Sequence, residues 1–470
     1  MTRKSTRGGI GDWISPYDQY DSVPSKSPGR FWKTQSFATP KYSPWARRIT
    51  SLANRVFYFR LGGLRHGTVI PILPESELTK LKAIPRGAGN ILVGPHPGPL
   101  DAYLMSYLLD AAHHGPAVFL MAAEVYFGGT ALRRFLLRRL GVIPVARGRK
   151  NPEAVQVMSE FIARGWWGGI FPEGEVYFSR QVMPMEYGMV RIAVEAALKI
   201  QRKADERGQN KNEHRPVFLT PFGHVYFLKD PKDAMRRVRN ALRDLESHPM
   251  VAIKHPTGDL PTRLRRAADQ LLENKADVYR IPGEEWHHDD RFERTRRLQD
   301  AVISRLEKEY FGRIERGYVR RRATRVRTAC FERLADGGLS EEARQKIEED
   351  IQKTREVILM TPFSQAYREK YNDLETWVEY LCRIRSALGM SPFNFGSQVV
   401  DFKVQTPIDV HPIATEYRSL DSEENRIAYL YKKTELVREL VQASVDEICS
   451  AHKTMRIPEA SDSLGNRLSL

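Results

Sequence analysis

His96 and Asp101 stand five positions apart in the run Ile91-Leu92-Val93-Gly94-Pro95-His96-Pro97-Gly98-Pro99-Leu100-Asp101, and both side chains can do proton chemistry. A carboxylate within hydrogen-bond reach of an imidazole fixes its tautomer and stabilises the imidazolium formed when the other ring nitrogen takes a proton. The pair reads as a general base, His96, with its orienter, Asp101. An ordinary imidazole, with a pKa of about 6.5, accepts a proton near neutral pH, which is what a weakly nucleophilic hydroxyl needs before it can attack. The neighbouring residues predict how the two meet. Ile91 to Val93 is a buried strand, Pro97 drives His96 toward extended backbone, and Pro99 suits the first turn of a helix running on through Ala102-Tyr103-Leu104-Met105.

Three further runs follow, each joining apolar residues to a polar or turn residue: Gly141-Val142-Ile143-Pro144-Val145-Ala146-Arg147, Phe171-Pro172-Glu173-Gly174, and Val217-Phe218-Leu219-Thr220-Pro221. In order and type the four runs resemble the glycerolipid acyltransferase family, whose type member is bacterial 1-acylglycerol-3-phosphate acyltransferase. The family's blocks are a His, four residues and an Asp; a Gly-containing strand ending in Arg; Phe-Pro-Glu-Gly; and an apolar strand ending in Pro. The resemblance spans residues 88 to about 225. It implies that His96 and Asp101 are the catalytic pair and that the second and third blocks, through Arg147, Glu173 and Gly174, bind the acceptor's phosphate. The implied donor is an acyl thioester, acyl-CoA or acyl-carrier protein, with no cofactor. The implied acceptor is 1-acylglycerol 3-phosphate or a related lysophospholipid precursor with a free hydroxyl. Another alcohol or an amine acceptor, and a catalytically silent lipid-binding scaffold, are the alternatives.

Residue chemistry adds detail to the two phosphate blocks. Arg147 can clamp a phosphate bidentately. Glu173 is suited to orient a basic residue or a hydroxyl, while Gly174 lets backbone N–H groups approach. The chain departs from the family at Pro95 and Gly98, where Asn and Ser are common, and at Glu175, where Thr or Ser is. An acidic side chain beside a phosphate site has to point away or pair with an arginine.

The elements that must position these residues follow from the pattern of apolar runs. Strands at Ile91 to Val93, Val118 to Ala122, Val142 to Val145, Gly169 to Phe171 and Val217 to Leu219 alternate with helices at Thr130 to Leu140, Pro152 to Arg164 and Tyr187 to Ile200. That alternation predicts an α/β fold, a mostly parallel sheet covered by helices, with the motifs at the strand ends where ligands bind. The expected organisation is an extended arm over 1–43, a basic amphipathic helix over 44–60, the α/β domain over 61–312 and a basic, mainly helical extension over 313–470. Within the extension, Ser340 and Asp421 are the expected caps of its first and last helices.

A formal charge of +16 over 470 residues predicts an anionic partner. Arg313 to Arg327 concentrates seven arginines against one glutamate, but no zinc framework or RNA-recognition signature accompanies it, which argues against nucleic acid. An anionic membrane surface is the expected partner. Trp45, Ile49, Leu52 and Val56 recur at helical spacing with Arg47, Arg48 and Arg55 between them, so Trp45, Arg48, Ile49, Leu52 and Val56 are the candidate membrane contacts. If the helix instead packs on the body, Trp45 and Ile49 should be buried. No signal peptide and no apolar stretch of spanning length is seen, so a cytoplasmic, peripherally attached protein is expected.

The three cysteines, Cys330, Cys382 and Cys449, lie far from the blocks, so direct transfer is expected rather than an acyl-cysteine route. No metal site is expected. His113-His114 and Trp286-His287-His288-Asp289-Asp290 lack ligand spacing, and the two aspartates suit a helix N-terminus.

Overall fold

The computed structural model describes residues 38–58, 67–112, 115–127, 130–146, 151–206, 208, 214–335, 338–360, 365–390 and 393–452. Strands β1 (Val69–Ile72), β2 (Gly89–Val93), β3 (Ala117–Ala122), β4 (Val142–Val145), β5 (Trp167–Ile170), β6 (Val217–Leu228), β7 (Gln398–Val404) and β8 (Ile408–Asp409) form one sheet. Its order is β1-β7-β6-β2-β5-β3-β4, with β8 beside the first half of β6. β6, β2, β5, β3 and β4 run parallel, while β7 and β8 are antiparallel to β6. This is the expected α/β fold. Parallel strands deliver their following loops to one edge of the sheet, so adjacency of β2 and β5 brings the His96 and Glu173 loops side by side. β4, the strand that precedes Arg147 in the sequence, lies three strand spacings from β2, about 14 Å across the sheet.

Helices α1 (Pro44–Ala53), α2 (Asp101–Ala111), α3 (Ala131–Arg139), α4 (Pro152–Ala163) and α5 (Gly188–Asp205) lie in the N-terminal half. All five residues of β2 are buried, as a central strand with both faces covered requires. Ile91 and Val93 join the core shared with α4 and α5, and Leu92 joins the opposite core with α2 and β7. One-residue alternation thus fixes the sheet between two helical layers and holds the start of the His96 turn rigid.

After β6 come, among other helices, α6 (Arg291–Phe311), α7 (Val319–Ala335), α8 (Leu374–Ala387) and α9 (Glu423–Ala451). The helices that follow β6 and those that follow residue 312 share two apolar cores. Ser340 caps its helix as expected, accepting from Ala343 N at 3.2 Å. The cap of α9 is Ser422, which accepts from Asn425 N at 3.1 Å; Asp421, one residue too early, takes the Asn425 side chain instead.

Three expectations change. The strand expected to end near Pro221 runs on to Leu228. Pro221 is the last residue paired with β2 and Phe222 the first paired with β7, so the missing N–H falls where the strand changes partners. The border drawn at residue 312 does not bound the sheet, because residues 398–409 supply β7 and β8. Gln398–Val404 alternates buried and half-buried residues along its whole length, the period of a strand rather than of a helix. The stretch 38–43, expected within an extended arm, is docked on α3: Lys41 N donates to Arg138 O and Ser43 N to Arg139 O, and the Tyr42 and Trp166 rings meet at 5.2 Å. Residues 1–37 lie outside the described residues.

The basic helix is α-helical only to Ala53 and continues as a π turn over Asn54–Tyr58. It docks through buried Ala46 and through Asp110 of α2, which takes Arg47 at 3.1 Å and the Ser51 hydroxyl. That seat turns Trp45, Ile49 and Leu52 outward, more than half exposed, so the packed-helix alternative does not describe this face.

Because β7 completes the sheet between β1 and β6, deleting residues 398–470 should leave a chain that aggregates or melts without cooperativity. Circular dichroism of the 1–397 chain is the check, and a soluble fragment with a sharp melt would contradict this placement of β7.

Candidate active site

Asp101 is the first residue of α2 and has no exposed surface. Its carboxylate meets four groups: His96 Nδ1 at 2.7 Å and Gly98 N at 2.8 Å on Oδ2, and His224 Nε2 at 2.8 Å and the Tyr226 hydroxyl at 2.5 Å on Oδ1. Burial alone would push this carboxyl up, but His224 and His96 outweigh it and hold it down at about 2. It is therefore ionised at neutral pH and can only accept hydrogen bonds. All four neighbours must donate. That assignment puts the proton of neutral His96 on Nδ1 and leaves Nε2 bare, the tautomer a general base needs.

The imidazole of His96 is one-fifth exposed and stacks on the Phe171 ring at a centroid distance of 4.6 Å. Its backbone is pinned on both sides. His96 N donates to Glu173 Oε1 at 2.7 Å, and Tyr177 N donates to His96 O at 3.1 Å. The Glu173 side chain and the Tyr177 amide thus hold the main chain of His96 and join the loops of two adjacent strands.

Glu173 was expected at the acceptor phosphate, orienting a basic side chain or a hydroxyl. Instead both of its oxygens are occupied by backbone amides, His96 N and Met183 N, the latter at 3.0 Å. The side chain is buried, and burial pushes its carboxyl up to about 7. Gly174 follows at φ +73°, a left-handed conformation that a side chain disfavours. Glu175 points inward and pairs with Arg327 at 3.6 Å, so its charge is matched by an arginine. Arg147 lies outside the described residues.

The structure adds residues that the sequence reading missed. His224 and Tyr226 sit on the half of β6 beyond Pro221, where the strand was expected to have stopped. Their alternation, with Phe222 and Leu228, was the available signal. Tyr226 also explains Gly98: its ring lies so near that a Cβ at position 98 would sit 3.0 Å from it. A serine there would crowd the ring. Arg320, within the arginine-rich run of α7, reaches the third block and donates to the carbonyls of Glu173 and Pro184. Other arginines of that run are structural, such as Arg322, which pairs with buried Glu307 at 2.7 Å.

The loop after the third block is strapped to the C-terminal part. Arg180 is buried and makes a bidentate pair with Asp373, at 2.8 and 2.7 Å, and an ion pair with Glu379 at 3.1 Å. Val182 N donates to Gln442 Oε1 of α9 at 2.7 Å. Among the described residues no cluster of His, Cys, Asp and Glu is arranged to hold a metal ion. Asp290 caps α6, accepting from Glu293 N at 2.8 Å, as its place before a helix suggested; His113 and His114 lie outside the described residues.

Asp101 titrates below its ordinary range of about 3.9. Its ionised form therefore stabilises the fold fully above that range, and the contribution is lost as pH falls toward 2. Tyr226→Phe removes one hydrogen bond to the charge. It should cost about 1.5–3 kcal/mol at neutral pH and move the onset of acid unfolding upward. Urea denaturation between about pH 3 and 7 is the check, and an unchanged acid limb would show that Tyr226 does not hold the carboxylate.

The family model described as Acyltransferase matches residues 75–202, a stretch that begins before β2 and ends in α5. The comparison with curated proteins finds no match. The match includes His96, Asp101, Glu173 and Gly174, while His224 and Tyr226 lie beyond it. Over residues 75–202, a little more than a quarter of the chain, the protein is thus similar to the acyltransferase family.

Proposed function

We propose that the protein transfers a fatty acyl group from an acyl thioester, acyl-CoA or acyl-carrier protein, to the free hydroxyl of 1-acylglycerol 3-phosphate or a related lysophospholipid. The observation that carries this reading is the ionised, fully buried Asp101 holding Nδ1 of His96, with the ring partly open to solvent. Nε2 of His96 takes the acceptor's hydroxyl proton as that oxygen attacks the thioester carbonyl. The tetrahedral intermediate then collapses, the carbon–sulfur bond breaks, and the imidazolium returns the proton to the departing thiolate. Asp101 supports the imidazolium between the two steps. No cofactor enters this sequence. The acceptor's phosphate is assigned to Arg147 and to Arg320, whose guanidinium lies against the Phe-Pro-Glu-Gly loop, with backbone N–H groups near Gly174 assisting.

His96→Ala should abolish thiol release from an acyl thioester in the presence of lysophosphatidate while remaining folded, with a stability loss similar to that of Tyr226→Phe because it too removes one donor from Asp101. Asp101→Asn should lose about a hundredfold or more, because the amide cannot fix the imidazole in the same way. A folded His96→Ala enzyme with near-normal turnover would sink the mechanism.

We further propose that the protein works in the cytoplasm, attached peripherally to an anionic membrane through α1. No described helix is long and apolar enough to cross a membrane. Trp45 is 54%, Ile49 60% and Leu52 66% exposed, and Leu132 and Phe135 of adjacent α3 are exposed as well. Val56 is less open at 38%, and exposed Arg48 and Arg55 lie beside the same face. Inserting such a face into the headgroup region gains hydrophobic energy, and each arginine near an anionic surface adds about 1 kcal/mol. The Trp45→Asp, Ile49→Asp double variant should keep its melting temperature and leave anionic vesicles in a sedimentation assay. A folded variant that stays bound would remove α1 from the contact.

A further inference from the structure

A cavity opens beside the catalytic turn and runs between β6 and α8. Pro97, Gly98 and Leu100 line one end, and His224, Tyr226 and Leu228 line it along one face of β6. The opposite wall presents Val378 and Cys382 of α8, then Met390, Phe393 and Phe395, with Arg180, Glu379, Arg385 and Ser386 among them. Most of this wall lies well beyond residues 75–202, so the family match does not account for it.

Arg180 and Glu379 of the lining pair with each other, but two other buried polar atoms do not find such a partner. His224 Nδ1 and Glu375 Oε2 have no hydrogen-bond partner within the protein, and both residues are more than nine-tenths buried. The other oxygen of Glu375 accepts from Leu228 N at 3.2 Å, which places this carboxyl at the Leu228 end of the strand. His224 is four residues back on the same face, about 13 Å away along the strand at 3.3 Å per residue. The lining therefore extends about 13 Å along β6, with His224 by the catalytic turn and Glu375 at the Leu228 end. A plain hydrocarbon filling it would seal both polar atoms without a partner, which is unfavourable. Burial, helped by Asp373, raises the Glu375 carboxyl, and its unpartnered oxygen can accept a hydrogen bond in either protonation state.

We infer that this cavity binds the hydrocarbon chain of the acyl substrate and that Glu375 selects a chain carrying a hydroxyl group well removed from the thioester. The inference rests on the acyl-transfer reading and adds to it a substrate class and a specificity-determining residue. The chain enters at the catalytic turn, lies along β6, and meets Glu375 with its hydroxyl. A site built to hydrogen-bond a substrate hydroxyl discriminates strongly against the analogue that lacks it.

The test compares kcat/KM for a long-chain acyl-CoA and its analogue hydroxylated in the distal half, with lysophosphatidate as acceptor. Wild type should favour the hydroxylated donor by at least about tenfold, Glu375→Leu should lose the preference, and Glu375→Gln should keep part of it. Equal use of the two donors by wild type overturns the inference and leaves acyl transfer standing. A second measurement does not depend on turnover or on the variants folding. A fluorescent polyene fatty acid is bound to wild type and displaced by plain or hydroxylated fatty acid of the same length. Tighter displacement by the hydroxylated acid supports the cavity's selectivity even if no thiol is released with any donor, the result that would refute the acyl-transfer reading. No probe binding, or equal displacement, overturns the inference.

Discussion

A carboxylate removed from water stays charged only if its oxygens are fully engaged by donors, and Asp101 meets that condition with four hydrogen bonds and no exposed surface. Each donor comes with a structural commitment. Gly98 N belongs to the turn itself, His96 to the loop that leaves β2, and His224 and Tyr226 to β6, the strand beside β2. The carboxylate therefore ties the turn to the sheet, and its ionisation dictates the tautomer of His96. Since β6 carries two of the donors, the register of β6 against β7 is part of the geometry that holds Asp101 and His96. The C-terminal residues that form β7 act on the site through that register.

The third block has a related task. Its glutamate spends both oxygens on backbone amides, one of them that of His96, so the most recognisable acidic residue of the block works as a brace. The loop that follows is in turn held by Asp373 and Glu379 through Arg180, and by Gln442. A match confined to residues 75–202 thus describes a domain whose active loops are held from outside it.

Much of this was legible in the sequence, and what was not has physical reasons. The pairing of His96 with Asp101 could be read because a strand, two prolines and a helix start leave the turn little freedom. The sheet could be read from short apolar runs separated by helical periods. Pro221 hid the second half of β6, since a proline usually ends a strand; here it sits at a change of partners, which only the three-dimensional order of strands reveals. The alternation of Gln398–Val404 was present but stood among helices, and no local pattern says that so distant a segment lies between β1 and β6. Residue type also misled at Glu173, because a carboxylate beside a glycine gives no sign that its partners are main-chain amides. The arginine-rich run divides in a way that composition cannot show: Arg322 and Arg327 pair internally, while Arg320 reaches the site.

The central claim is that Asp101 fixes the proton of His96 on Nδ1 and leaves Nε2 as the base. Nitrogen-15 NMR of the histidine side chains at neutral pH tests it most directly, with the His96 signals assigned by their loss in His96→Ala. The account predicts a protonated Nδ1 and a bare Nε2 for His96 in wild type, with the preference weakened in Asp101→Asn. A bare Nδ1 and a protonated Nε2 in the wild-type protein would contradict it.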